Sequence, residues 1–207
     1  MIQDRYPDAD VLAQRGHWDE ATRRVVMDRV HNVPSFRFFD EQERALLEAV
    51  CERIVPQAHR PLGRRVPIAP WIDQRLQHKL GDGFRFDDVP SDEVAWRKGL
   101  AGIDEAASEL FGQRFTELPA SSQDAVLERV RGGRPPGKSW NGMNVRRFWV
   151  NIALRQILGV FYAHPFSWDE IGFGGPAYPR GYFALNNGAR EPWEAKEVDG
   201  SHPRPPR

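Results

Sequence analysis

Cysteine is nearly missing from this sequence: Cys51 is the only one in 207 residues. No intramolecular disulfide can form, and the cysteine spacings of zinc sites and of c-type haem attachment do not occur. Cys51 sits with Val50 and Ile54 in an apolar helical pattern, which predicts a small buried hydrophobe and not a reactive thiol. An excess of charge is missing as well, since 29 basic residues balance 29 acidic ones. A balanced chain gives no electrostatic reason to bind nucleic acid or an anionic membrane, and it tolerates association with other protein. Long hydrophobic runs are also missing. No apolar stretch approaches the ~18–20 residues that cross a bilayer, so direct membrane insertion is not expected. The pair Arg23-Arg24 is followed by neither an apolar segment nor a small-residue cleavage site, so it does not read as a twin-arginine leader. The expected location is cytoplasmic, and periplasmic only if a partner carries the chain across.

Alternating period-two segments are absent too, which leaves helical periodicity to organise the chain. The expected fold is all-α, with about six helices. The first covers 18–30, with Asp19 as its cap and Val25, Val26 and Val30 as its apolar positions. In the second, Asp40 and Glu43 make a capping-box start, Leu46, Leu47, Val50 and Ile54 form one face, and Pro56 stops the helix. Ile68, Trp71, Ile72, Leu76 and Leu80 mark the third, closed by Gly81-Asp82-Gly83. A longer helix over 91–112 carries Val94, Leu100, Ile103, Ala107, Leu110 and Phe111 as its stripe, with Gly99 and Gly102 permitting close packing. Residues 120–130 form the fifth. The sixth, 144–163, is apolar nearly all round and is expected to be the central element.

Beyond it the pattern changes. From Ala163 to the end there are 6 glycines and 7 prolines in 45 residues, too many for another long helix. Yet eight of the twenty-five residues from Phe161 to Leu185 are aromatic, whereas disordered tails are poor in aromatics. An irregular aromatic segment of this length is expected to be functional, packed on the chain's own helices or on a partner. Its candidate partner-binding residues are Tyr162, His164, Pro165, Trp168, Ile171, Gly172, Phe173 and Gly175. The expected organisation is an N-terminal extension over 1–35 with one short helix, a helical domain over 36–185 and a mostly disordered tail over 186–207.

Signatures of catalysis are few. Six histidines are scattered along the chain, and none forms a His-x-x-x-His or His-Glu-x-x-His pair. Gly172-Phe173-Gly174-Gly175 follows no strand, and no Gly-x-Ser-x-Gly elbow occurs. His164 is expected to end the central helix, where a cationic imidazole suits the dipole. Asp169 and Glu170 are adjacent, and adjacent carboxylates seldom face one site. No catalytic, cofactor-binding or metal residue is expected. A self-contained enzyme using His164 with Asp169 or Glu170 stays an alternative, as does a helical scaffold or homo-oligomer with an unrelated partner.

Three segments, in order, resemble the gluconate 2-dehydrogenase subunit 3 family. They are FFDEQERALLEAVCERIVPQ (38–57), WRKGLAGIDEAASELFGQRFTELPASSQDAVLERV (96–130) and GVFYAHPFSWDEIGFGGPAYPRGY (159–182). The resemblance spans 36–183. It implies a small, non-catalytic, chaperone-like accessory subunit that binds a large flavoprotein of the glucose–methanol–choline oxidoreductase type. FAD belongs to that large subunit, which oxidises a sugar, sugar acid or other alcohol. Some such complexes add a cytochrome c subunit on the periplasmic membrane, and their small subunit often carries a twin-arginine signal. This sequence departs from that pattern, with a charged segment over 1–35 where the signal is expected.

Overall fold

The computed structural model describes residues 5–7, 9–84, 86–181, 191 and 193–197. Among them the regular structure is helical, with no strand. The helices are α1 (Glu20–His31), α2 (Glu41–Ile54), α3 (Ile68–Gln77), α4 (Asp92–Phe111), α5 (Ala120–Arg131), α6 (Val145–Arg147), α7 (Arg155–Ala163) and α8 (Pro165–Ile171). A π-helical stretch, Phe148–Leu154, joins α6 to α7. Backbone contacts group the described residues into two units: Pro34–Phe161, and the residues up to Val33 together with those from Tyr162 onward. The N-terminal segment and the aromatic segment, apart in sequence, thus share one unit. The disorder expected over 186–207 lies outside the described residues, except at 191 and 193–197.

In the unit Pro34–Phe161, α2 starts with the capping box the sequence predicts: the Asp40 side chain accepts from Glu43 N–H and the Glu43 side chain from Asp40 N–H. Its buried face is Leu46, Leu47, Val50 and Cys51. Burial first, then the charges of Glu48 and Glu52, push the Cys51 thiol well above its ordinary value, which keeps it unreactive. The α3 face is Ile68, Ala69, Ile72 and Leu76, but it also buries Asp73 completely. That carboxylate accepts the backbone N–H groups of Arg37, Phe38 and Phe39 at 2.7–3.1 Å. Three directed donors compensate the lost hydration, and they fix the chain's entry into α2.

Helix α4 differs from its predicted stripe. Ala95, Trp96, Gly99, Leu100, Gly102, Ile103, Ala106 and Ala107 are buried, whereas Val94, Leu110 and Phe111 are exposed. The two glycines set the inward face. A Cβ on Gly99 would lie 2.1 Å from the Phe148 ring, and one on Gly102 would lie 2.3 Å from Trp140. Two aromatic rings therefore press directly on the α4 backbone.

The stretch 145–163 corrects another expectation. It is not one uniform α-helix, nor is it apolar-buried all round, for Val150, Arg155 and Gly159 are exposed. Its buried residues are three pairs four apart, Phe148 and Trp149, Ile152 and Ala153, Gln156 and Ile157, followed by Phe161. In a pure α-helix of 3.6 residues per turn, a four-residue repeat drifts by about 40° each turn. The wider π turn, of the same hand, advances each residue by less, so within it a four-residue repeat drifts in the opposite sense and offsets that rotation, keeping the three pairs on one face.

The second unit has a small apolar core of Val11, Trp18, Val26 and Trp168, with Leu12 packed against it. Ahead of the one short helix expected in the N-terminal extension lies a 3-10 turn, Val11–His17, capped by Asp10. In α1, capped by Asp19 as predicted, Val26 is buried and Val25 is exposed. The main correction lies after α7. The segment read as irregular opens with α8, and its proline is the cause. Pro165 holds His164 in an extended conformation (φ −92°, ψ 134°), which ends α7. The same ring, with its fixed φ and missing N–H, suits the first position of the next helix. Pro165 is thus both the stop of one helix and the start of the next.

Candidate functional site

His164 is the N-cap of α8. Its Nδ1 accepts from Phe166 N–H at 3.2 Å, and its Nε2 lies 3.0 Å from the carbonyl oxygen of Arg29. A nitrogen that accepts cannot carry the proton, so the proton is on Nε2 and is donated to Arg29. The cationic C-cap expected from the sequence is thus replaced by a neutral N-cap. Arg29 answers in return: its Nη1 donates to the carbonyl of Ala163 at 2.6 Å. One turn of α1 therefore clasps the α7–α8 junction twice.

The rest of α8 is tied equally closely within this unit. Trp168 Nε1 donates to the carbonyl of Tyr162 at 2.8 Å, and Ser167 Oγ donates to the carbonyl of His164 at 2.8 Å. Asp169 Oδ1 accepts from Val11 N–H at 2.8 Å. Trp168 packs in the core with Val11, Trp18 and Val26, and Phe173 meets its ring edge-on at 5.2 Å. Gly172 ends α8 with φ 68°, and a Cβ there would strike the Tyr6 ring at 2.6 Å. Gly175, at φ 80°, would strike Val11. Both positions need a residue without Cβ.

The eight candidate contact residues divide by accessibility. His164, Pro165, Trp168 and Gly175 are buried, and Gly172 is half-buried. Tyr162, Ile171 and Phe173 are 50%, 47% and 41% exposed. The segment thus has an inner set that builds the turn and an outer set of three apolar side chains open to solvent. Beside them a cleft of about 320 Å³ is lined by Val11, Asp10, Asp169, Phe173, Trp193 and Lys196, among others. Glu170 is exposed.

A larger cleft, about 430 Å³, lies in the other unit between the end of α3 and the start of α4. Arg75, Lys79, Phe84 and Asp92 are among its walls. Asp82 bridges Arg75 and Arg155 there. Burial pushes the Asp92 carboxyl above its ordinary value, opposed by a hydrogen bond from Gln156. Gln156 Nε2 donates to Asp92 Oδ2 at 2.8 Å while its Oε1 accepts from Trp96 Nε1 at 2.9 Å. This relay, like the Asp73 cradle, is missing from the sequence reading. The signal was present in one case: Gln156 is a lone amide among apolar neighbours on a buried face. Arg29 gave no signal, because its partners are 134 and 135 residues away.

Among the described residues no group of three or more His, Cys, Asp or Glu side chains could hold a metal ion. No helix among them is long and apolar enough to cross a membrane. The family described as gluconate 2-dehydrogenase subunit 3 matches residues 41–175, a span from the first turn of α2 through the glycines that follow α8. Comparison with curated proteins and with solved structures finds no match.

Proposed function

Because the chain belongs to the gluconate 2-dehydrogenase subunit 3 family, we propose that it is the non-catalytic accessory subunit of a flavin-dependent dehydrogenase. It binds the large, FAD-carrying subunit and stabilises or matures it, and the large subunit oxidises a sugar, sugar acid or other alcohol. The observation that carries this reading is the family match over 41–175. The geometry agrees with it. His164, the histidine best placed for acid–base work, directs both ring nitrogens to the main chain. Tyr162, Ile171 and Phe173 leave apolar surface on a turn whose shape is fixed from within, which suits recognition of another protein.

The test is a tagged pull-down of the full chain from its native cells, with an absorbance scan of the eluate. A co-eluting polypeptide of dehydrogenase size with flavin absorption is the expected result. A colourless eluate containing this chain alone, at low salt and high protein concentration, overturns the reading.

A further inference from the structure

Helix α7 ends with two carbonyls that its own turns do not satisfy. In a continuous α-helix Tyr162 O would accept from Phe166 N–H, and Ala163 O from Ser167 N–H. Here Phe166 N–H goes to His164 Nδ1 at 3.2 Å and Ser167 N–H to His164 O at 3.0 Å, so both carbonyls are left for side chains. Trp168 Nε1 donates to the first and Arg29 Nη1 to the second. A guanidinium suits this place. A helix C-terminus carries partial negative charge, and a charged donor makes the stronger hydrogen bond. Arg29 O completes the clasp by accepting from His164 Nε2.

Helix α8 has only seven residues, too few to be stable alone, so what lies against it decides where it stands. Its supports come from the other end of the chain. Val11, Trp18 and Val26 make a core with Trp168, Val11 N–H donates to Asp169, and the Tyr6 ring closes on Gly172. These residues and Arg29 all precede the span 41–175 that matches the family. The last helix of that span is therefore held by residues outside it. The three exposed apolar side chains follow its placement. Tyr162 stands just before the α7–α8 bend, Ile171 ends α8, and Phe173 comes next, its ring edge-on to Trp168.

We propose that Arg29 is a positioning residue for partner recognition, and that the N-terminal segment is a splint inside the subunit. Arg29 fixes the α7–α8 bend, and the bend sets the spacing of Tyr162, Ile171 and Phe173 before the partner arrives. A surface held in its binding shape loses less freedom on association. The segment acts through α8 and does not itself touch the partner. This role rests on the subunit reading, because it assigns the three side chains to the flavoprotein contact; the hold of Arg29 on α8 does not.

The test compares the tagged full chain with Arg29→Ala, Arg29→Lys and Val25→Glu, the last at an exposed position of α1. Hydrogen exchange reports the placement of α8. Capture of the flavin-containing polypeptide from native cells, over a titration of bait, reports binding. In Arg29→Ala the amides of 166–173 are expected to exchange roughly tenfold faster and capture to weaken roughly tenfold, the scale of one lost charged hydrogen bond. The amides of α2 to α5 are expected to keep their protection. Arg29→Lys retains a charged donor and is expected to restore most of both, and Val25→Glu to change neither. Unchanged exchange at 166–173 in Arg29→Ala overturns the proposal, as does faster exchange with unchanged capture. Lost protection across α2 to α5 overturns it too, since Arg29 would then support the fold at large. Weaker capture by Val25→Glu does the same, because α1 would itself be the contact. A wild-type chain that captures no flavoprotein sinks the subunit reading, and the exchange data alone then decide whether Arg29 positions α8.

Discussion

Between Pro34 and Phe161 the buried side chains are mostly apolar and interlock with aromatic rings set against glycine backbone. In the unit made from the two ends of the chain, the core is four apolar side chains, and shape is set by directed bonds donated by Arg29, His164 and Trp168 and accepted by Asp169. The first arrangement gains from area and close packing, so it is sensitive to volume. The second gains from geometry, so it is sensitive to which atom donates and which accepts. A region built the second way can hold three apolar side chains in the open without collapsing over them.

The largest expected effect lies in the packed unit. Phe148→Ala removes a fully buried ring and is expected to cost about 3–5 kcal/mol, read as the shift in urea midpoint. A loss under about 1 kcal/mol would show that the ring pressed on Gly99 contributes little to the packing of α4. Gly99→Ala comes next, with a net loss of about 1–2 kcal/mol as overpacking outweighs the gain in helix propensity. In the Phe148→Ala background its sign should reverse, because the ring it strikes is gone and alanine favours the helix. A double-mutant cycle measures that coupling directly.

Smaller effects are expected from single directed bonds. His164→Ala removes the α8 cap and should cost about 1 kcal/mol. His164→Asn, which can still cap, should recover part of that loss. Hydrogen exchange of the Phe166 amide separates the two variants, and equal protection in both would argue against the cap. The smallest effect belongs to an exposed pair. A hydrogen bond from Arg53 holds the Asp124 carboxyl below its ordinary value. A lowered folded-state value adds stability above the ordinary carboxylate range, and that stability is lost as pH falls through the lowered value. The pair is solvent-screened, so Asp124→Asn should change stability at pH 7 by less than about 1 kcal/mol and flatten the acid limb of a melting-versus-pH curve.

Much of the helical layout was legible because its causes are local. Asp19, the Asp40–Glu43 box and the apolar spacing of α2 act within one or two turns of themselves. The exceptions have equally definite causes. Leu80 was included in a helix that ends at Gln77, and it is exposed. Val94, Leu110 and Phe111 match helical spacing but fall outside the face on which Phe148 and Trp140 press. Within the candidate site, the importance of the segment after α7 was legible from its aromatic density. Its division into a buried set and an exposed set was not, since that depends on Val11, Trp18 and Arg29 from the other end of the chain.

The sequence by itself determined the helical class, most helix starts and stops, and the family, because capping, periodicity and ordered motifs are properties of neighbours along the chain. Only the tertiary structure decided the roles of His164, Asp73 and Gln156. A side chain's protonation, burial and direction depend on the donors and acceptors that meet it, and here, apart from the Phe166 N–H that His164 accepts, those come from 34 to 135 residues away.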